Sequence, residues 1–326
     1  MKHWNIGKML IILLIIGVLL AVALFILTPH NIPNLASHPN PVQNYEEAVS
    51  RADSLRVKGV QKMNPLCRLR LMSHGGKTGQ AVILVHGYTT CPQQFHELGK
   101  RLHDYGCNVL IAPLPHHGLV DRMTEEPSLL SAEELTVYAD TVVDIAQGLG
   151  EDVVMMGISA GGVVTAWAAQ QRDDIEVAVI ISPAFGFKKI PTFFTAAVMN
   201  IALVLPDSFF WRDPVLQADV PPSYAYPQYS RRALAQLLRL GFAVQQDMKR
   251  NPPAAKKIVV VFNPNDDEIN NGLTWDIVKR WQSDNANIST YEFDASLKLG
   301  HDLIDPFYLG QKVDIVYPKL IELIGD

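Results

Sequence analysis

The chain has 326 residues, of which 48% are hydrophobic and 19% charged, enough apolar material for one sizeable globular core. Its formal net charge of −5, with no basic cluster, argues against a nucleic-acid partner. Three cysteines, Cys67, Cys91 and Cys107, exclude a disulfide-framework protein; one bridge at most can form, and the sequence does not choose the pair. No C-x-x-C or H-E-x-x-H pattern marks a metal site.

Residues 9–27 are an unbroken apolar run without a charge. A bilayer core of roughly 30 Å takes about 20 such residues as a helix. Lys2 and Lys8 precede the run, and no Lys or Arg follows until Arg51. That bias predicts a cytoplasmic N-terminus (1–8), a transmembrane anchor (9–27) and an extracytoplasmic remainder. The competing reading is a cleaved signal peptide and a secreted protein. Such a peptide has an apolar region of about 7–15 residues ending in a small-x-small site. This run is longer and ends in Phe25-Ile26-Leu27-Thr28-Pro29. Residues 28–44 hold four prolines among polar residues, which reads as an extended linker lifting a domain at 45–326 off the membrane.

Residues 45–56 read as a short helix, and 66–73 as an opening strand pair ending at Gly75-Gly76. Residues 81–85, AVILV, have the apolar continuity of a strand covered on both faces, and run into His86-Gly87-Tyr88-Thr89-Thr90. Pro92 suits the first turn of a helix, with Phe95, Leu98 and Leu102 as its apolar face. A strand at 108–112 leads to Pro113-Leu114-Pro115-His116-His117-Gly118. Ser131-Ala132-Glu133-Glu134 is a capping box that opens a helix running to about residue 149. A strand at 151–157 feeds Gly157-Ile158-Ser159-Ala160-Gly161, and small and apolar residues at 163–169 suit a packed helix. Residues 177–182 are the next strand.

The alternation predicts an α/β fold, a mostly parallel sheet with helices on both faces. Residues 183–255 interrupt it with no obvious strand, an apolar helical pattern at 191–205 and a second helix at 230–249. An insertion of this length at a strand's carboxyl end is expected to cap the site. Residues 258–262 resume the sheet and lead to Asn263-Pro264-Asn265-Asp266-Asp267-Glu268-Ile269. A helix at 273–282 and a last strand at 289–293 precede Leu299-Gly300-His301-Asp302 and a closing helix.

The strand–turn–helix around Ser159 is the context of a G-x-S-x-G nucleophile. A serine hydroxyl needs a base in hydrogen-bond reach and a third group that orients the base. Of ten histidines only His301 follows Ser159, and in this type of sheet the chain order is serine, acid, histidine. The acid belongs in the loop after the preceding strand, where Asp266 and Asp267 compete and Glu268 stands third. An acid-x-apolar ending favours Asp267. Two amides are expected to hold the oxyanion, those of Ala160 and Tyr88. His86 is expected to brace its loop. His116 and His117, pointing in different directions, suit a structural or rim role better than a metal site.

Val85-His86-Gly87-Tyr88-Thr89, Gly157-Ile158-Ser159-Ala160-Gly161, Asp267-Glu268-Ile269 and Gly300-His301 together resemble the α/β-hydrolase superfamily. Within it they resemble the branch of carboxylesterases, monoacylglycerol lipases and serine aminopeptidase-like (hydrolase-4) proteins. Pro113-Leu114-Pro115-His116-His117-Gly118 is similar to that branch's P-G-H-G segment, with His116 where a glycine is common. The resemblance implies an anchored serine hydrolase that cleaves a hydrophobic ester or acyl substrate through an acyl-enzyme. That chemistry needs no cofactor and no metal. Thioesterase or peptidase activity on the same site, and a non-catalytic surface binding protein, are the alternative expectations.

Overall fold

The computed structural model describes residues 6–30, 32, 35–57, 60–284, 286–308 and 310–325. Lys2 and most of the expected cytoplasmic stretch therefore lie outside the described residues. The first element, α1 (Ile6–Leu27), contains a stretch, Lys8–Leu27, long and apolar enough to cross a membrane, and none of that stretch is buried. Next come α2 (Tyr45–Val57), β1 (Arg70–Met72), β2 (Thr78–Val85), α3 (His96–Asp104) and β3 (Asn108–Ile111). They are followed by α4 (Ala132–Ala146), β4 (Gly150–Ile158), α5 (Ala160–Gln171) and β5 (Val177–Ile181). The insertion holds α6 (Thr195–Val204), a short antiparallel pair of β6 (Phe209–Trp211) and β7 (Gln228–Ser230), and α7 (Arg231–Asp247). The chain closes with β8 (Lys257–Phe262), α8 (Asn271–Ser283), β9 (Ile288–Glu292) and α9 (Val313–Gly325).

Among the described residues the main sheet runs β1-β3-β2-β4-β5-β8-β9, with β1 antiparallel to β3 and every other pairing parallel. Side chains alternate between its faces, as the twofold pleat requires. Ile83, Val85, Val153, Met155, Ala178 and Ile180 enter one apolar layer, packed under α2, α4, α5, α7 and α8. Val82, Leu84, Val154, Met156, Val177 and Val179 enter the other, covered by α3 and α9. The inner strands β2 to β5 and β8 are covered on both faces over most of their length, so they read as apolar runs, while the edge strands β1 and β9 are only partly buried. The chain leaves β2 in one direction for β3 and returns past it to β4. That reversal opens a crevice at the carboxyl ends of β2 and β4, where such sheets bind ligands.

Three stretches differ from expectation, the first being the β6–β7 pair in an insertion with no obvious strand in its sequence. Residues 66–73 form a 3₁₀ turn, Pro65–Cys67, and the single strand β1 rather than a strand pair. Residues 35–42 are docked on the domain rather than standing clear of it. The Trp167 indole donates to the Leu35 carbonyl at 2.9 Å, and the His38 and Asn40 amides donate to Asp140 (2.7 Å) and Asp144 (2.9 Å). The same two carboxylates accept from the fully buried Arg172 at 3.1 and 2.8 Å, and Asp174 joins them at 2.7 Å. A buried guanidinium is tolerable only when paired this way. The pairing gives the linker fixed acceptors, so it lies along α4 and α5.

Candidate active site

Ser159 sits between β4 and α5 with φ 57° and ψ −114°, a strained conformation for a residue with a side chain. The flanking glycines are required by close approach. A Cβ on Gly157 would stand 2.2 Å from the Gly161 carbonyl oxygen, and one on Gly161 2.0 Å from that of Val85. The Ser159 amide donates to the Ile181 carbonyl at 3.0 Å, which pins the turn to β5. The Ala160 amide is the first of α5, and the first amides of a helix have no partner within it.

His301, in the loop after β9, directs Nδ1 at Asp266 Oδ2 at 2.7 Å. An ionised carboxylate only accepts, so Nδ1 carries the proton and Nε2 is left for the cleft. Asp266 is 0% exposed, and its Oδ1 accepts from the amides of Glu268 (3.0 Å) and Ile269 (3.1 Å). Asp267, the residue expected to serve as the acid, is exposed to solvent. The physical reason is the turn: two amides grip Asp266 from behind, point its second oxygen inward, and turn the next side chain out. Asn263 ties the two loops together, donating to the Leu299 and Gly300 carbonyls at 3.0 Å each.

Ser159 and His301 line one cleft of about 30 Å³ with Gly87, Tyr88, Glu268 and Asp302. Phe187, Tyr229, Leu234 and Leu237, all within the 183–255 insertion, line the same cleft. A larger cavity of about 770 Å³, behind the 113–118 loop, is lined by neither Ser159 nor His301; the chemistry rather than the volume selects the cleft. Burial disfavours the charged form of His301, but the carboxylates of Asp266 and then Glu268 outweigh it and push the ring up to about 10. Burial alone would raise Asp266; His301 and the two amides hold its carboxyl below the ordinary value. Glu268 is raised by its own burial and accepts from the Tyr229 hydroxyl at 2.9 Å.

The sequence profile described as the alpha/beta hydrolase family matches residues 82–305. The chain belongs to that family. Among solved structures, one reported for LipS and LipT, two metagenome-derived lipolytic enzymes, aligns at 16% identity and TM-score 0.60, over 81% of this chain and 100% of the other. A monoacylglycerol lipase from Paleococcus ferrophilus aligns at 18% identity and TM-score 0.60, over 79% and 98% of the two chains. A monoglyceride lipase from Saccharomyces cerevisiae aligns at 13% identity and TM-score 0.60, over 79% and 90%. At these identities the likeness is one of fold. The curated proteins offer no match.

In this α/β hydrolase the loop after β2 is held from several sides. His86 donates from Nδ1 to the Gly87 carbonyl (2.8 Å) and accepts on Nε2 from the Leu114 amide (2.9 Å). Burial, reinforced by His117, pushes it down to about 3, so it is a neutral brace. His116 has φ 64°, the left-handed conformation that explains why glycine suits this position, and its Nε2 pairs with Glu134 at 3.0 Å. His117 is buried with Nδ1 on the Pro115 carbonyl at 2.7 Å. Tyr88 packs its ring edge on His117 at 5.2 Å between centroids.

Gln94 has no counterpart among the residues expected from sequence. Fully buried, it accepts from the Gly87 amide and the Thr90 hydroxyl, each at 2.8 Å, and donates to Asp302 at 2.7 Å. It thereby joins the Tyr88 loop to the residue beside His301. The only sequence signal was its place two residues after Pro92. Cys91 is bonded to Cys67, and both are buried against Tyr224 and Ala225. Cys107 is the free, buried thiol.

Proposed function

We propose that the chain is a membrane-anchored serine hydrolase that cleaves carboxylic esters with apolar acyl groups. The observation that carries this reading is the strained Ser159 sharing a cleft with His301, whose other nitrogen is held by the buried Asp266. Ser159 Oγ attacks the ester carbonyl as its proton passes to His301 Nε2. The amides of Tyr88 and Ala160 stabilise the oxyanion. Collapse breaks the ester C–O bond, and His301 returns the proton to the departing alkoxide. Water then attacks the acyl-enzyme, again through His301, and releases the acid. Asp266 stabilises the imidazolium formed in each half-reaction.

The cleft has room for a water or two, so the cap shifts to admit substrate. Its Phe187, Leu234 and Leu237 walls favour an apolar group over a charged one. The lipases named above, as fold relatives, support the same class. The long apolar α1 supports the anchor, and the Cys67–Cys91 bridge supports an oxidising, extracytoplasmic compartment for the domain. The test is hydrolysis of p-nitrophenyl esters from acetate to palmitate by the full chain in detergent. Ser159→Ala is expected to lose about 10⁴–10⁶-fold in kcat. Full activity in that variant would refute the mechanism.

A further inference from the structure

The insertion exposes more apolar surface than covering a cleft requires. The inner face of α6 is buried: Met199 and Ala202 pack on Ala235 and Leu238 of α7. Its outer face is bare. Phe194, Val198, Ile201 and Leu205 recur at spacings of four, three and four, one stripe of a helix, and all are exposed. Phe193 at 67% exposure and Val204 at 82% widen the stripe. Single exposed apolar residues need no explanation, but a contiguous patch of this kind marks a contact surface.

The same helix is tied to the end of α1. Asn200 Nδ2 donates to the carbonyls of Ile26 (2.9 Å) and Thr28 (2.7 Å), and its Oδ1 accepts from the His30 amide at 3.3 Å. Ile32 packs on the Met199–Ala202 cluster. Residues 35–42 are docked as described above, so α1 is tied to the domain at several described points. Ile26 is the penultimate residue of α1. If α1 spans, Ile26 lies at the bilayer boundary, and Asn200 holds α6 at that depth. Exposed Arg232 lies at the end of the stripe, reaching the Leu205 carbonyl at 3.4 Å, and exposed Lys189 precedes it in the chain. Basic residues beside an apolar face suit a helix lying among lipid headgroups.

We propose that α6 docks into the headgroup–acyl boundary of the leaflet from which α1 emerges, with the Phe194–Val198–Ile201–Leu205 stripe, Phe193 and Val204 in lipid. This rests on the reading of α1 as a membrane span. It also narrows the substrate class. Phe187 packs on the α6–α7 cluster and lines the catalytic cleft. The helix whose outer face meets lipid thus backs the cleft wall through its inner face, which sets the cleft beside the bilayer and makes esters resident there its substrate class.

The test uses the full chain in liposomes of phosphatidylcholine with a minor share of phosphatidylglycerol. Val204→Cys carries an environment-sensitive fluorophore; the bridged cysteines and the buried Cys107 leave the new thiol as the reactive one. Val137→Cys on α4, 65% exposed, is the aqueous reference. The expected result is blue-shifted emission at 204 and several-fold stronger quenching there than at 137 by lipids spin-labelled near the headgroup. Phe193→Cys repeats the measurement should labelling at 204 disturb the cap. Equal, aqueous behaviour at 193, 204 and 137 in protein that resists alkaline carbonate extraction overturns the docked helix and leaves the anchor standing. Release by carbonate overturns the anchor, and the docked helix with it.

Discussion

Asp266 and Asp267 are neighbours in sequence and opposites in surroundings, so changing each to asparagine separates the site's geometry from its composition. In Asp266→Asn the side-chain carbonyl keeps the Oδ1 position, because the amides of Glu268 and Ile269 require an acceptor there. The new NH₂ group then replaces Oδ2, 2.7 Å from His301 Nδ1. Two donors cannot share that contact, so the imidazole proton moves to Nε2 and the ring can no longer accept from Ser159. A wrong tautomer of this kind costs about 10⁴ in kcat, equivalent to roughly 5 kcal/mol of transition-state stabilisation at 1.36 kcal/mol per decade. Asp267→Asn alters a solvated side chain and is expected to stay within about twofold, since solvated substitutions away from such contacts are near neutral. The assay is kcat on p-nitrophenyl butyrate, with thermal unfolding as the check that both variants fold. Comparable losses in the two variants, or an Asp266→Asn loss under about tenfold, would refute the assignment of the acid.

In the proposed mechanism only neutral His301 accepts the serine proton, so kcat/KM is expected to fall as pH drops through the pKa of the folded site. Because that pKa is raised towards about 10, the acid limb is expected well above the ordinary histidine value of 6.5, and Glu268→Gln is expected to move it down. An unchanged limb in the variant would show that Glu268 does not act on the ring. Arg172→Leu leaves Asp140, Asp144 and Asp174 without their buried cation. It should lose about 3–5 kcal/mol of stability in denaturant titration; a loss below about 1 kcal/mol would mean the carboxylates are solvated. Gly161→Ala drives a methyl group to 2.0 Å from the Val85 carbonyl oxygen and should yield no active, soluble protein; an active product would mean the turn relaxes freely.

Much of the sheet was legible because its inner strands are buried on both faces and announce themselves as unbroken apolar runs, 81–85 and 258–262 most plainly. The Ser159 turn was legible because close approach forces glycine at 157 and 161. His301 stood out because no other histidine follows Ser159. What was hidden depended on distant partners. Which carboxylate faces His301 is decided by the one that the Glu268 and Ile269 amides grip, and an acid-x-apolar spacing does not contain that turn. The docking of 35–42 depends on Asp140, Asp144 and Trp167, about a hundred residues away, so four prolines read as an open linker. Gln94 carries no motif and acquires its part only when Gly87, Thr90 and Asp302 converge on it. Within the insertion, β6 and β7 are three residues each and too short for an alternation to register.

A fluorophosphonate reacts with a serine only when a neighbouring base activates it. Treating the folded full chain with one and mapping the adduct by mass spectrometry probes the proposed nucleophile without knowledge of the substrate. Labelling confined to Ser159, abolished in Ser159→Ala and strongly slowed in Asp266→Asn, is the outcome the geometry predicts. A folded protein that stays unlabelled, or takes the label elsewhere, would contradict it.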